Sequence, residues 1–327
     1  NDKLNISALQ FQNFEIIINQ DIMDSKTLIA VLVEEVNKLP EVVILPYGLT
    51  GNVSIDIARI KTINANLDAL YFGLDNLDKF NFEGAIFTKC KFTGSTFNGS
   101  DFAFANFKEC IIDDCEIYGS HMQESSFIEC DLSKSDLRDC VLIEVNFRQS
   151  IMHSIDFSGS FIKDSVLLNV KGDLCDFSFT SLSAVNFSGA KMHVCDFSAC
   201  RSVDLKAADA DFSGSEFIGA HLDSSQMQGS ILNFCNFSEA SLQECDLSRA
   251  RLLSATMNNA RLNTSILNEV LLMDAKAGGT ELNDVNLDNA NLTKADFSKS
   301  IFNGSSMNGV LDQDTIYDGA KLERVIR

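Results

Sequence analysis

Large apolar residues recur at every fifth position along most of this chain. Between Phe82 and Met307 there are 46 such positions, and 42 of them hold Phe, Leu, Ile or Met. No insertion or deletion shifts the phase over this span. A period of five fits neither the 3.6-residue repeat of an α-helix nor the two-residue alternation of a strand. The four exceptions are Gly172, Ser202, Ala207 and Ala277.

A second class of residue, small and uncharged, lies two positions before each large one. Its members are mostly Ala, Ser, Cys, Val or Thr. Residues two apart in an extended segment point to the same side, so each five-residue unit offers one large and one small group to an interior. A single unit cannot bury this pair by itself, whereas stacked units can. The pattern therefore predicts a solenoid.

The residue just before the large one is often Asp or Asn, as in CDLSKSDLRDC and NLDNANLTKADFSKS. In this pattern the chain resembles the pentapeptide-repeat proteins, whose motif is A(D/N)LXX, over roughly residues 65–322. The resemblance implies an all-β solenoid, a right-handed quadrilateral β-helix with four pentapeptides per coil. The repeat span would then form about eleven or more coils, and a rod about 50–55 Å long.

The N-terminal segment, residues 1–62, does not follow the five-residue period. Within it, LQFQNFEIIIN, EVVILP and NVSIDIARI predict strands, and SKTLIAVLVEEVNKLP predicts a helix. We therefore predict a small α/β or α+β unit that either caps the first coil or serves as a recognition module. The pentapeptide-repeat β-helix follows over residues 63–310. Tyr317 and Leu322 again fall on the five-residue period of large residues, so residues 311–327 predict a closing coil.

Composition narrows the classes of partner and chemistry. The net charge of −20 argues against direct binding of nucleic acid and favours a protein partner with a basic surface. No run of 18 apolar residues is present, so we expect no membrane span. No H-E-x-x-H, P-loop, dinucleotide fingerprint or nucleophile elbow occurs. We therefore expect no catalytic residues and no cofactor.

All ten cysteines occupy the small inward position, and none forms a C-x-x-C pair. We expect them to be buried, free thiols that replace Ala or Ser. Free thiols favour a reducing compartment, here the cytoplasm. Cys90, Cys110 and Cys130 would stack one coil apart, which raises zinc as a less favoured alternative.

In a coil of 20 residues, side chains 20 apart stack along one face. Like charges about 5 Å apart repel by roughly 1 kcal/mol in water. Two interpretations stay open: the carboxylates hydrogen-bond the corner backbone, or they bind a partner. The set, here called the acidic column, comprises Glu116, Asp136, Asp156, Asp176, Asp196 and Glu216.

Three other features are candidates for a site. His153, Asp173 and His193 share a column that could hold a divalent cation, although solvated surface is the favoured interpretation and we expect no metal. The break in the period is either a notch or a local bulge that Val203 and Leu205 fill. The notch would comprise Gly172, Arg201, Ser202, Lys206 and Ala207. Outward apolar side chains could bind a partner or pack under the N-terminal unit: Phe104, Phe161, Leu174, Phe179, Val194 and Phe234.

These observations predict a non-catalytic scaffold for protein–protein interaction, built on a rigid acidic rod that loses little entropy on binding. The family resemblance suggests two alternatives. The first is a DNA mimic that binds DNA gyrase or topoisomerase and protects it from quinolones. The second is a secreted bacterial effector, delivered into the host-cell cytosol, whose N-terminal unit directs targeting. A homodimer through a coil end is compatible with each.

Overall fold

In its described residues, 2–6 and 14–18, the N-terminal part contains an antiparallel pair of strands. Strand β1 (Asp2–Ile6) pairs with β2 (Phe14–Ile18), and β2 lies inside the predicted strand LQFQNFEIIIN. The helix predicted over residues 25–40 and the unit boundary at residue 62 lie outside the described residues, so both stay predictions. The computed structural model describes residues 2–6, 14–18, 78–79, 82–84 and 86–327.

In the described part of the repeat, six strands of three residues each form two parallel three-stranded sheets. In both sheets a residue pairs with the residue 20 positions later, as Ile86 does with Asn106 and Val141 with Phe161. The first sheet contains β3 (Ile86–Thr88), β4 (Asn106–Lys108) and β5 (Ser126–Ile128), and the second contains β6 (Val141–Ile143), β7 (Phe161–Lys163) and β8 (Ser181–Ser183).

Single-residue parallel bridges continue this register along the rest of the repeat, from Lys91↔Ile111 to Ser306↔Ile326. Each coil therefore contains four pentapeptides, and the fold is the quadrilateral β-helix that the family resemblance implies. Residues 86–327 form about twelve coils, or a rod of about 55–60 Å at the usual strand spacing. The predicted closing segment, residues 311–327, extends the ladder in the same register.

The large inward residues stack along the axis of the rod. The ring centroids of Phe157, Phe177, Phe197, Phe217 and Phe237 follow one another at 5.0, 4.9, 4.9 and 4.7 Å. These separations equal the spacing between coils, so the backbone register itself places each ring in stacking contact with the next. The core is therefore continuous from coil to coil.

The small inward position carries a hydrogen-bond donor in many coils. Ser120 Oγ and Cys115 Sγ each donate, over 2.9 Å, to the carbonyl oxygen of the large residue 23 positions earlier. As predicted, all ten cysteines are buried and free. Burial raises the pKa of the Cys115 thiol to about 12, so this thiol is protonated at neutral pH. Ser and Cys therefore satisfy a buried carbonyl in addition to filling space.

Each corner is a two-residue turn with a positive φ at its second residue. The turn closes with a backbone hydrogen bond, for example from Ser160 N–H to Phe157 O at 3.0 Å. Gly holds the second turn residue at some corners, but Leu174 (φ 59°), Val194 (φ 55°) and Phe234 (φ 62°) hold it at others. A left-handed conformation costs a bulky L-residue about 1–2 kcal/mol.

We predict that Val194→Asn raises the stability of the rod by about 1 kcal/mol, because Asn tolerates the left-handed region better than a β-branched residue. The native structure offers a template: Asn259 lies one coil before Gly279, as Val194 lies one coil before Gly214. Thermal unfolding followed by circular dichroism measures the change in Tm.

The opposite exchange provides the control. At Gly119 (φ +64°) no atom lies within 4 Å of an added Cβ, so Gly119→Val should lower Tm through backbone strain alone. A lower Tm for Val194→Asn would mean that packing of the valine side chain outweighs the strain.

Candidate interaction surface

Where the ladder consists of single-residue bridges, one backbone N–H of the pentapeptide can lack an acceptor within the ladder. In residues 156–160, four N–H groups donate to backbone carbonyl oxygens at 2.8–3.1 Å. The fifth, from the first corner residue Ser158, donates to Asp156 Oδ1 at 2.8 Å. An unpaired N–H at such a corner would cost about as much as a lost hydrogen bond. Asp or Asn before the large residue supplies this acceptor.

The structure brings the six carboxylates of the acidic column together. Parallel bridges join its consecutive members, from Glu116↔Asp136 through Asp196↔Glu216. The four Asp side chains are half-buried and the two Glu side chains are exposed. The column therefore occupies one side of the rod over six adjacent coils.

The Asp residues of the column have a structural role, whereas the Glu residues do not share it. Besides Asp156, the residues Asp136, Asp176 and Asp196 each accept the corner N–H two residues later, at 3.0, 2.8 and 2.7 Å. In the coil of Glu116, the corner N–H of Tyr118 donates instead to Asn98 Oδ1 at 3.0 Å. The Asp residues thus hydrogen-bond the corner backbone, as the first interpretation has it. A turn bond uses only part of each carboxylate, and partner binding stays a prediction.

Near one end of the column, Arg138 bridges two carboxylates. Arg138 Nη2 lies 2.6 Å from Asp136 Oδ2, and its Nε lies 3.7 Å from Asp156 Oδ2. Burial alone would raise the pKa of Asp136, but the hydrogen bonds and charge of Arg138 lower it on balance. Within the described part of the chain, no basic side chain forms an ion pair with Asp176, Asp196 or Glu216. The charge of this half of the column is uncompensated there.

Exposed apolar side chains border the uncompensated half. Leu174, Val194 and Phe234 are exposed by 63%, 57% and 69%. The first two occupy the corner just before Asp176 and Asp196, and Phe234 occupies the same corner one coil beyond Glu216. On the corner that follows the column, Ile218 and Phe179 are exposed by 42% and 73%. We call these five residues the apolar margin. The other two candidates from the sequence, Phe104 and Phe161, are also exposed but lie on other sides of the rod.

Buried side chains occupy the interior space where Ser202 and Ala207 interrupt the five-residue period. Ser202 and Ala207 are buried, and Leu205 is buried at the neighbouring small position. Ser202 Oγ donates to Leu182 O at 2.8 Å. The expectation that Val203 also fills the space is wrong, because this side chain is exposed. The geometry therefore supports local repacking.

Gly172 leaves no open space either. A Cβ added there would lie 2.8 Å from Cys175 Sγ and 2.9 Å from Met152 Cγ, so these neighbours already occupy the position. Arg201 and Lys206, the charged members of the predicted notch, are exposed on adjacent sides of the coil. The described structure therefore shows no depression at Gly172.

The histidine column is a hydrogen-bond chain. The Asp173 N–H donates to His153 Nδ1 at 3.0 Å, which occupies the lone pair that a metal would need. His193 Nδ1 lies 2.7 Å from Asp173 Oδ1, and its Nε2 lies 3.4 Å from Asp211 Oδ2. Burial alone would lower the pKa of His193, but the hydrogen bond to Asp173 and the charge of Asp211 raise it on balance.

The stacked cysteines direct their thiols at the backbone. Cys110 Sγ donates to Phe87 O at 3.5 Å, and Cys130 Sγ donates to Phe107 O at 3.3 Å. Among the described residues, no group of three or more His, Cys, Asp or Glu side chains is arranged to hold a metal ion. The part of the chain that can be described also contains no helix long and apolar enough to cross a membrane.

Comparison with known proteins places this geometry in a family. A model described as "Pentapeptide repeat region" matches residues 90–177, and one described as "Pentapeptide repeats (8 copies)" matches residues 230–268 and 271–309. The chain belongs to the pentapeptide-repeat family. Pentapeptide-repeat proteins are generally structural or interaction proteins.

Several solved pentapeptide-repeat structures are similar to the chain. HetL, involved in heterocyst differentiation regulation in the cyanobacterium Nostoc sp. strain PCC 7120, is 18% identical; the match covers 77% of this chain and 91% of HetL, with a TM-score of 0.38. QnrB1, a plasmid-mediated fluoroquinolone resistance protein, is 21% identical over 61% of this chain and 92% of its own, with a TM-score of 0.41. No curated protein matches the chain.

We predict that the triple variant Asp156→Asn, Asp176→Asn, Asp196→Asn, the column variant, folds as stably as the wild type and gains stability at low salt. Asn retains the turn bond and removes like-charge repulsion, which salt screens. Replacing the same three residues with Ala should cost about 1 kcal/mol for each lost bond. Denaturant unfolding at low and high salt gives the free energy of unfolding of the wild type, the Asn variant and the Ala variant. An equal loss of stability in the Asn and Ala variants would contradict the prediction that the turn bond does not depend on the charge.

We predict that the stability contributed by His193 depends on pH. Because folding raises its pKa, this contribution is fully present below the unfolded value of about 6.5 and is lost as pH rises through the folded value. Asp211, whose pKa is lowered on balance by Ser213 and His193 against burial, contributes a constant amount over this range.

We therefore expect the difference in Tm between the wild type and His193→Gln to be larger at about pH 5.5 than at about pH 8, with the wild type the more stable. The other histidines are common to both proteins, so their titration cancels in the comparison. A difference in Tm that is independent of pH would show that His193 acts through neutral hydrogen bonds alone.

Proposed function

We propose that this pentapeptide-repeat protein is a non-catalytic interaction rod whose acidic column contacts a basic surface on a protein partner. The observation that carries the proposal is that the fold does not need the charge. Asn146 and Asn186 accept the same corner N–H, from Arg148 and Ser188, at 3.0 and 2.9 Å. Asp in the column therefore keeps a repulsion of roughly 1 kcal/mol per neighbouring pair in water that Asn would remove.

The rod suits such contact for two physical reasons. Its side chains project from a backbone whose parallel pairing keeps a constant register from Ile86 to Ile326. Because the backbone is already ordered, little conformational entropy is lost on binding. A line of unneutralised carboxylates also attracts a basic partner over about a Debye length and raises the association rate. Both effects predict binding that weakens as salt is added.

Mimicry of DNA toward gyrase or topoisomerase is the second candidate. The alignment of six carboxylates at one coil spacing, about 4.8 Å, favours it. The apolar margin points the other way, because a DNA backbone presents no apolar side chains beside its charges. Free buried cysteines suit a reducing cytosol, and we propose that the protein acts there.

The column variant provides the test. A matched control, Asp101→Asn, Asp131→Asn, Asp246→Asn, removes three carboxylates from other sides of the rod, and each of these residues also accepts a corner N–H. Both variants therefore have the same net charge and the same number of turn bonds. Tagged proteins are used for pull-downs from bacterial and host-cell lysates, and the eluates are quantified by mass spectrometry.

We expect the wild type and the control to recover a protein in a salt-sensitive manner, and the column variant to recover at least about tenfold less. Gyrase or topoisomerase as that protein would favour mimicry of DNA. Equal recovery by the wild type and the column variant would show that the column serves only the turns, and the proposal would be wrong.

A further inference from the structure

The apolar margin requires an explanation that the rod itself does not provide. Single exposed apolar side chains are ordinary on protein surfaces, but here three occur at one corner within four consecutive coils. That corner carries Leu174, Val194, Gly214 and Phe234 in succession. Adjacent exposed apolar groups beside a polar strip are typical of interaction sites.

The charge beside the margin indicates what covers it. Asp176, Asp196 and Glu216 lie between the two corners of the margin, and no basic side chain of the described residues pairs with them. A segment that buries the margin must therefore bring its own positive charges. Residues 1–77 of this chain contain 5 Lys and Arg against 10 Asp and Glu, so the N-terminal part has the wrong sign. The complementary occupant is a basic segment of another protein.

Spacing favours a helix for that segment. Successive coils are about 4.8 Å apart, and one helical turn advances about 5.4 Å. Over three coil intervals, helical turns and coils move out of step by only about 2 Å. Same-side residues of a strand, about 6.7 Å apart, move out of step by about 6 Å. A helix parallel to the rod would thus place one side chain per coil opposite the carboxylates, at i, i+3 or i+4, and i+7.

The width of this side of the rod also fits an α-helix. Leu174 and Ser178, which flank Asp176 on its two sides, are four residues apart in the chain and so lie at most about 13–14 Å apart. An α-helix with its side chains is about 10–12 Å across. A single helix therefore covers the acidic column and reaches the margin.

We infer that the column from Asp176 to Glu216 and the apolar margin form a docking site for a basic amphipathic α-helix of a protein partner. The helix lies along the rod and directs one Lys or Arg per turn at the carboxylates. Its apolar residues contact Leu174, Val194 and Phe234. The inference rests on the proposed function and specifies the kind of partner.

The probe is a synthetic, fluorescently labelled peptide of about 18 residues, or five turns, with Lys along one face and Leu along the flanking face. A scrambled peptide of identical composition keeps the charge and abolishes the pattern. The full-length chain is titrated into each peptide, and fluorescence anisotropy gives Kd at physiological and at high salt. Far-ultraviolet circular dichroism reports helix formed in the peptide on binding.

Phe234→Asn and Phe104→Asn form a matched pair. Both replace an exposed Phe at the second corner residue with similar backbone conformation (φ 62° and 59°), but only Phe234 lies in the margin. We expect Phe234→Asn and the column variant each to raise Kd about tenfold, Phe104→Asn to leave Kd unchanged, and the patterned peptide to gain helicity. The scrambled peptide should bind about tenfold more weakly than the patterned one.

Equal binding of the two peptides, or equal Kd for Phe234→Asn and Phe104→Asn, would overturn the inference and reduce the attraction to non-specific charge. Tight binding without a gain in helicity would overturn the helical occupant. These failures are distinct from failure of the proposed function, which the lysate comparison of the column and control variants decides on its own.

Discussion

The corner N–H that the backbone ladder leaves without an acceptor explains much of this molecule. A side chain always close enough to accept it is the one two residues earlier, where Asp and Asn fit and Glu does not. A side chain one coil earlier is the other solution, as when Leu253 N–H donates to Asn233 Oδ1 at 3.1 Å. The Asp and Asn of the repeat motif therefore serve the backbone at many corners. The turn bond does not depend on the choice between Asp and Asn, so surface charge can vary without loss of the fold.

Periodicity is the reason that so much could be predicted from sequence. Because no residue is inserted or lost between Phe82 and Met307, adding 20 to a position finds its neighbour, and the acidic column followed directly once the coil was taken to be four-sided. Features that depend on a single side chain could not be predicted from the period. Arg138 bridging Asp136 and Asp156, Val203 turning outward, and thiols donating to carbonyls depend on rotamers and local backbone shifts, which no period specifies. The N-terminal segment has no repeat and allowed only local predictions.

Two unfavourable features coincide on one side of the rod. Like charges occupy adjacent coils at the acidic column, and bulky residues adopt left-handed backbone at Leu174, Val194 and Phe234. Each lowers the stability of the native state, and each has a milder substitute, Asn in both cases, that the same chain uses elsewhere. They overlap in the coils of Asp176 and Asp196, and the binding surface that we propose accounts for both departures from a fold that is otherwise locally consistent.

The constant register also dictates how such a rod can change in length. Removal of 20 residues takes out one coil and rejoins the same four sides, so everything beyond the deletion moves by one strand spacing without rotating. Removal of five residues instead turns the distal part of the rod by a quarter revolution, and a continuous stripe becomes two shorter stripes on adjacent sides. A single inserted residue exchanges inside for outside in all that follows. Gene duplication in units of one coil therefore lengthens a recognition surface along the same side of the rod. An insertion or deletion of any other length interrupts that surface.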